Sequence, residues 1–265
     1  MDVGRCIYCR EPTSKKLGRE HVVPLSLGGG IILQRASCDF HSTMTRHFEE
    51  EIAGQLLKPF RTIKGLPTRR KKELPTQFPA LLERGNISQQ IMVPVANFPD
   101  FLPTVAFKEL AGLLTDAEPS VPLMEVRIYH SKEVNERRVH ELPSGVINVS
   151  GKVPCHSFVR LTAKIAHGFA VAHNGLDFEP FLLDTIEGRI EHSGHFIGKA
   201  YREFPHTVNA HTHVLAHEHI PDGDVTYIAV SIGLFAGVGA PIHSVIVGCF
   251  DTDNPPSPPW GAKQK

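Results

Sequence analysis

The sequence predicts an α+β protein with a small metal-stapled ββα unit at its front and an antiparallel β-meander at its end. Three observations predict this. Two Cys/His pairs of equal spacing bracket a short β-like segment between Cys6 and His41. An apolar stripe at helical spacing runs from Ser157 to Ala172. Apolar runs separated by Pro/Gly turns fill the stretch from Thr207 to Phe250. At 265 residues the chain suits one large or two modest domains. The expected division is a ββα unit over 1–57, a basic connector over 58–80, an α+β domain over 81–252 and a disordered tail over 253–265.

The 28 basic and 28 acidic residues cancel, so any nucleic-acid partner has to be argued from local charge. No apolar run approaches the roughly 18 residues that a membrane span needs, and no charged-apolar-small leader opens the chain. A cytoplasmic protein without a membrane partner is expected. Three of the five cysteines lie at 6, 9 and 38, which in a reducing compartment reads as a ligand set. Cys155 and Cys249 stand alone and are expected to be small core residues.

Cys6 and Cys9 form a C-x2-C pair, and Cys38 and His41 a C-x2-H pair. Each presents two ligands from one tight turn, as a tetrahedral zinc site requires of each half. Structural zinc supplies on the order of 10–16 kcal/mol of apparent binding free energy, enough to fold a short segment with little core of its own. Inside the loop, His21 to Pro24 reads as a strand stopped by proline, Gly28-Gly29-Gly30 as a turn, and Ile31 to Leu33 as a second strand. From about Ser42, Met44, Phe48, Ile52 and Leu56 recur every four residues, which predicts a helix.

The series C-x2-C, E-H-V-V-P-L-S-L-G-G and C-x2-H resembles the HNH endonucleases (the His-Me finger, or ββα-metal, fold), in the form whose signature begins Glu-His. The likeness covers about the first 80 residues. It implies a nuclease that hydrolyses DNA phosphodiester bonds, with His21 as the general base that takes a proton from water. Glu20 falls where the family places a carboxylate ligand of a catalytic Mg2+ or Mn2+, distinct from the structural zinc. The family's middle asparagine falls near Ile32 or Leu33, neither of which can orient an imidazole. Its last helical ligand has three contenders, His41, His47 and Glu51. His47 shares a helix face with Glu51 and is set beside Glu20 as a ligand of the catalytic ion, while His41 is assigned to zinc. Two alternatives keep the zinc unit without the chemistry: a nucleic-acid-binding protein, and a structural knuckle for a protein-interaction domain.

Lys58, Arg61, Lys64, Arg69, Arg70, Lys71 and Lys72 follow with no intervening acid. Prolines at 59, 67 and 75 suggest an extended or turning segment, read either as phosphate contacts beside the site or as a solvated linker. Beyond it, strands are expected over Gln89 to Val95 and Leu123 to Tyr129, and a helix or buried strand over Val105 to Leu114. Val134 to Lys152 reads as polar and turn-rich. The helix from Ser157 to Ala172 contains Lys164 and His167, taken as ordinary surface or packing residues, and a shorter helix is expected over Glu179 to Glu187. The meander comprises Thr207 to Ile220, Val225 to Phe235 and Ile242 to Phe250, with Ile228, Val230, Ile232 and Leu234 facing inward. His211, His213, His217 and His219 share one face of its first strand, expected to be the wet face rather than a second metal site.

Overall fold

Gly18–His21 (β1) and Ile32–Ser37 (β2) pair as an antiparallel hairpin in the computed structural model, which describes residues 1–11, 16–68, 74–130, 132–140, 142–205 and 212–256. His21 ends β1 opposite Ile32. The strand thus ends where the sequence reading began it, His21 to Pro24, and the chain then turns through a 3-10 segment, Leu25–Leu27. Gly28 caps that turn at φ +92°, and a Cβ on Gly29 would lie 1.9 Å from the Val23 carbonyl oxygen. Both positions therefore require glycine.

Helix α1, Asp39–Glu49, starts directly after Cys38 and so earlier than the apolar spacing indicated. Its first turn carries His41, and its buried face continues through Thr45 and Phe48. It runs into a π-helical stretch, Glu50–Leu56, closed by the Leu57 N–H on the Ile52 carbonyl at 2.8 Å. Helix α2, Lys58–Ile63, follows. The front half of the basic connector is therefore helical and not extended. Pro59 lies in the first turn, where its missing N–H costs no hydrogen bond. Arg69 to Lys72 fall outside the described residues.

The body begins with a sheet of Gln77–Arg84 (β3), Ile87–Pro94 (β4) and Val146–Asn148 (β7), in the order β4-β3-β7. Phe101–Phe107 (β5) pairs with Met124–His130 (β6), and Lys132–Val139 forms α3. Three of these elements are absent from the sequence prediction. Strand β7 is three residues long, α3 lacks an apolar stripe, and the alternation of β3 is masked in the sequence because Pro79 and the apolar Leu81 lie on its exposed face.

Helix α4, Cys155–Asn174, is the axis of the molecule. Sixteen of its 20 residues are buried, so it is packed on nearly every side. Lys164 and His167, expected at the surface or in ordinary packing, are fully enclosed. Cys155 and Cys249 are half-buried. One hydrophobic core joins Ile7, Val22, Leu27 and Phe48 of the front segment to Phe158, Ile165, Ile228 and Val247 of the body. The front unit thus borrows its core from α4.

Glu179–Pro180 (β8) pairs with the last strand instead of opening a helix, and α5 is only Leu183–Glu187. After Ile197–Lys199 (β9) come the meander strands His213–Asp222 (β10), Val225–Leu234 (β11) and His243–Asp251 (β12). The sheet order is β10-β11-β12-β8, with β9 also on β12. His211 and residues 257–265 of the tail lie outside the described residues.

The register corrects the histidine face. His213, His217 and His219 stand opposite Leu234, Val230 and Ile228, and directly opposed residues share a face. That face packs toward α4 at His213 and His217, which are half-buried, while His219 is exposed near the strand's far end. His213 donates Nε2–H to the Leu27 carbonyl at 2.7 Å and accepts the Phe235 N–H at 3.2 Å. Asn174 donates to His217 Nε2 at 2.8 Å and accepts from His219 Nε2 at 3.0 Å. Both His213 and His217 accept at one nitrogen, so both are held neutral.

Burial takes His167 and His243 down to about 4. Because the folded value lies below the unfolded one, this contribution is full above about pH 6.5 and is lost as pH falls toward 4. Urea unfolding at pH 7 and pH 5 should show about 2 kcal/mol lost per buried histidine. A flat profile over that range would contradict the neutral packing.

Candidate metal centre and the buried ion pair

Cys6 and Cys9 come from the turn before β1, and Cys38 and His41 from the start of α1. The hairpin folds these turns together, so the ligand atoms of Cys6, Cys9, Cys38 and His41 all lie within 4.8 Å of one another. His41 Nδ1 is 3.1 Å from Cys38 Sγ and 3.7 Å from Cys6 Sγ. A tetrahedral Cys3His zinc site has ligand-to-ligand edges of about 3.5–3.8 Å, and the cluster is compatible with zinc. Among the described residues it is the group with metal-binding geometry.

Protonation fits a metal role unevenly. Burial pushes the Cys6 thiol up to about 11. Burial acts the same way on Cys38, but the hydrogen bonds from the His41 backbone and ring outweigh it and take this thiol to about 7. Of these two, Cys38 is the thiol nearer to thiolate at neutral pH, and metal binding has to displace the proton from Cys6.

His41 is 4 % exposed, and Tyr8 stacks on it with ring centroids 5.3 Å apart. With Nδ1 turned to the sulfurs, Nε2 faces Glu187 Oε1 of α5 at 3.3 Å. Arg189 grips the other oxygen of Glu187 and also Asp184.

Behind the hairpin lies a second polar centre. The Lys164 ammonium is 2.7 Å from Glu20 Oε1 and 2.9 Å from Glu49 Oε1, and it also donates to the His21 carbonyl. Lys164 is 1 % exposed and Glu20 5 %. Burial raises the Glu20 carboxyl above its ordinary value, against the downward pull of Lys164. Burial alone would lower Lys164, but Glu20 and Glu49 outweigh it, so the ammonium stays charged. Tyr8, fully buried beside these carboxylates, has its hydroxyl pushed well above the usual range by burial first and by Glu20 next.

Strand alternation separates the two residues that the family resemblance sets side by side. Glu20 points inward to Lys164, while the His21 ring lies on the opposite face, partly exposed. His47 is exposed on α1, about 200° around the helix from Glu49, and does not converge on Glu20. Glu51 accepts from the Ser157 hydroxyl. Of the basic connector, Arg61 bonds the Ser26, Ala53 and Pro67 carbonyls, Lys64 pairs with Asp100 at 2.6 Å, and Lys58 is exposed.

Glu49 and Glu187 are absent from the sequence prediction, and Lys164 was read there only as an ordinary surface or packing residue. Lys164 left a trace, a lysine between Leu161 and Ile165 in the apolar stripe. Glu187 left none, because its partner is 146 residues away. The chain matches no protein-family model, no curated protein and no solved structure. Among the described residues, no helix is long and apolar enough to cross a membrane.

Removing one member of a buried ion cluster leaves an uncompensated charge. Lys164→Met should cost roughly 3–5 kcal/mol in urea unfolding, and Glu20→Gln in the same chain should restore part of it. An unchanged midpoint in the single variant would mean that Glu20 and Glu49 find other partners. Chelation of zinc, or Cys6→Ser, should lower the thermal midpoint by ten degrees or more if the front segment is folded by metal, read by circular dichroism with and without added zinc.

Proposed function

We propose that this chain is a nucleic-acid-binding protein of the HNH type, whose zinc-stapled ββα unit docks on a phosphodiester backbone. One observation carries the choice of binding over cleavage: the Lys164 ammonium sits between Glu20 and Glu49 and uses the carboxylate that a catalytic cation would need. An ammonium enclosed by two carboxylates and a carbonyl supplies positive charge there without an exchangeable ion. The order of pairs, hairpin and helix around His21 supports the HNH scaffold. The exposed Lys58 and, in the sequence, the basic run Arg69 to Lys72 support a phosphate-facing role, while Arg61 and Lys64 are engaged within the fold.

The second reading is a metal-dependent endonuclease, favoured by the partly exposed His21 ring at the end of β1. In that case His21 removes a proton from water and Mg2+ or Mn2+ stabilises the leaving oxygen. It requires Lys164 to release Glu20 from a buried position.

Anisotropy titration of labelled duplex DNA through a salt series, run beside a cleavage assay with Mg2+ or Mn2+, separates these readings. The expected result is binding that weakens linearly in log salt, with cleavage no faster than that of His21→Ala. Metal-dependent cleavage reduced about 100-fold or more by His21→Ala would establish the endonuclease instead. No binding even at low salt would remove both.

A further inference from the structure

We infer that Glu187 is the outer carboxylate of the zinc centre, so that the metal holds α5 of the body as well as the front segment. This rests on the zinc assignment of Cys6, Cys9, Cys38 and His41 and adds a fifth residue, from the far end of the chain.

The tautomer comes first. His41 directs Nδ1 at Cys38 and Cys6, so a ligating ring carries its proton on Nε2. That N–H meets Glu187 Oε1 at 3.3 Å, inside the molecule. A carboxylate in this position fixes ring rotation and tautomer and makes the imidazole a better donor, as outer-sphere acids of metal-bound histidines do.

Glu187 is itself held in place. Its side chain is 17 % exposed, and Arg189 binds its second oxygen while also bonding Asp184. Gly188, at φ +77°, turns the chain directly after it. Arg160 of α4 donates Nε–H to the Ile186 carbonyl at 2.9 Å. The carboxylate is thus positioned from α4 and α5 together, and its other contact is the centre. A helix of five residues has little order of its own, so the link works in both directions: Glu187 tightens the metal site, and the occupied site fixes α5.

Zinc competition against a chromophoric chelator, on the full chain, provides the test. Glu187→Ala should bind zinc 10–100-fold more weakly than the parent, and Glu187→Gln, which keeps an acceptor oxygen, should lie between them. Cobalt substitution should give the same three-thiolate charge-transfer and ligand-field bands in all three proteins, because no ligand has been removed. Amide exchange over 183–188 should slow on adding zinc to the parent and respond less in Glu187→Ala. If Glu187→Ala does not fold, Arg189→Ala, which frees the carboxylate but keeps it, should show a smaller weakening of the same kind. Equal zinc affinity in the parent and these variants would overturn the role of Glu187 and leave the zinc assignment standing. A parent that binds no zinc would overturn both.

Discussion

An ammonium group without water around it has to be surrounded by oxygen, and Lys164 meets that need with Glu20, Glu49 and the His21 carbonyl. These partners come from β1 and α1, while Lys164 comes from the middle of α4. The ion cluster is therefore the point at which hairpin, first helix and central helix are fixed relative to one another. Moving any one of them would strand a buried charge, a larger penalty than the loss of any single apolar contact in the shared core.

That constraint also bears on chemistry. A carboxylate in a nuclease is useful when its oxygens can take and release a hard cation. Here Glu20 is enclosed, its carboxyl is raised by burial, and its charge is met by an ammonium. The same residue that the family resemblance offers as a metal ligand works in this fold as a structural acid. His21 escapes this fate because alternation along β1 turns it to the other face. The Cys/His cluster, compatible with zinc, is a separate device. Tyr8 lies between the two, stacking on His41 while its buried hydroxyl sits near Glu20.

What the sequence made legible was local. The two C-x2 pairs, the glycine turn and the hairpin-helix order are encoded within 45 residues and need only short-range geometry. Strands β11 and β12 and helix α4 carry strong periodicity and are found where it indicates. What escaped was non-local or weakly patterned. Glu187 meets His41 and Lys164 meets Glu20 across more than 140 residues, and periodicity cannot announce such pairs. The histidines of β10 were misplaced because polarity suggested a wet face. The register of His213 with Leu234 and of His217 with Val230 shows that neutral, hydrogen-bonded imidazoles can sit on the core side, while His219 stays exposed.

The central claim is that Lys164, and not an exchangeable ion, neutralises Glu20. Anomalous diffraction from crystals grown with zinc and soaked in manganese addresses it most directly. The account predicts a zinc peak among Cys6, Cys9, Cys38 and His41, with the Lys164 ammonium still between Glu20 and Glu49 and no manganese there. A manganese peak coordinated by Glu20, with Lys164 displaced, would contradict it.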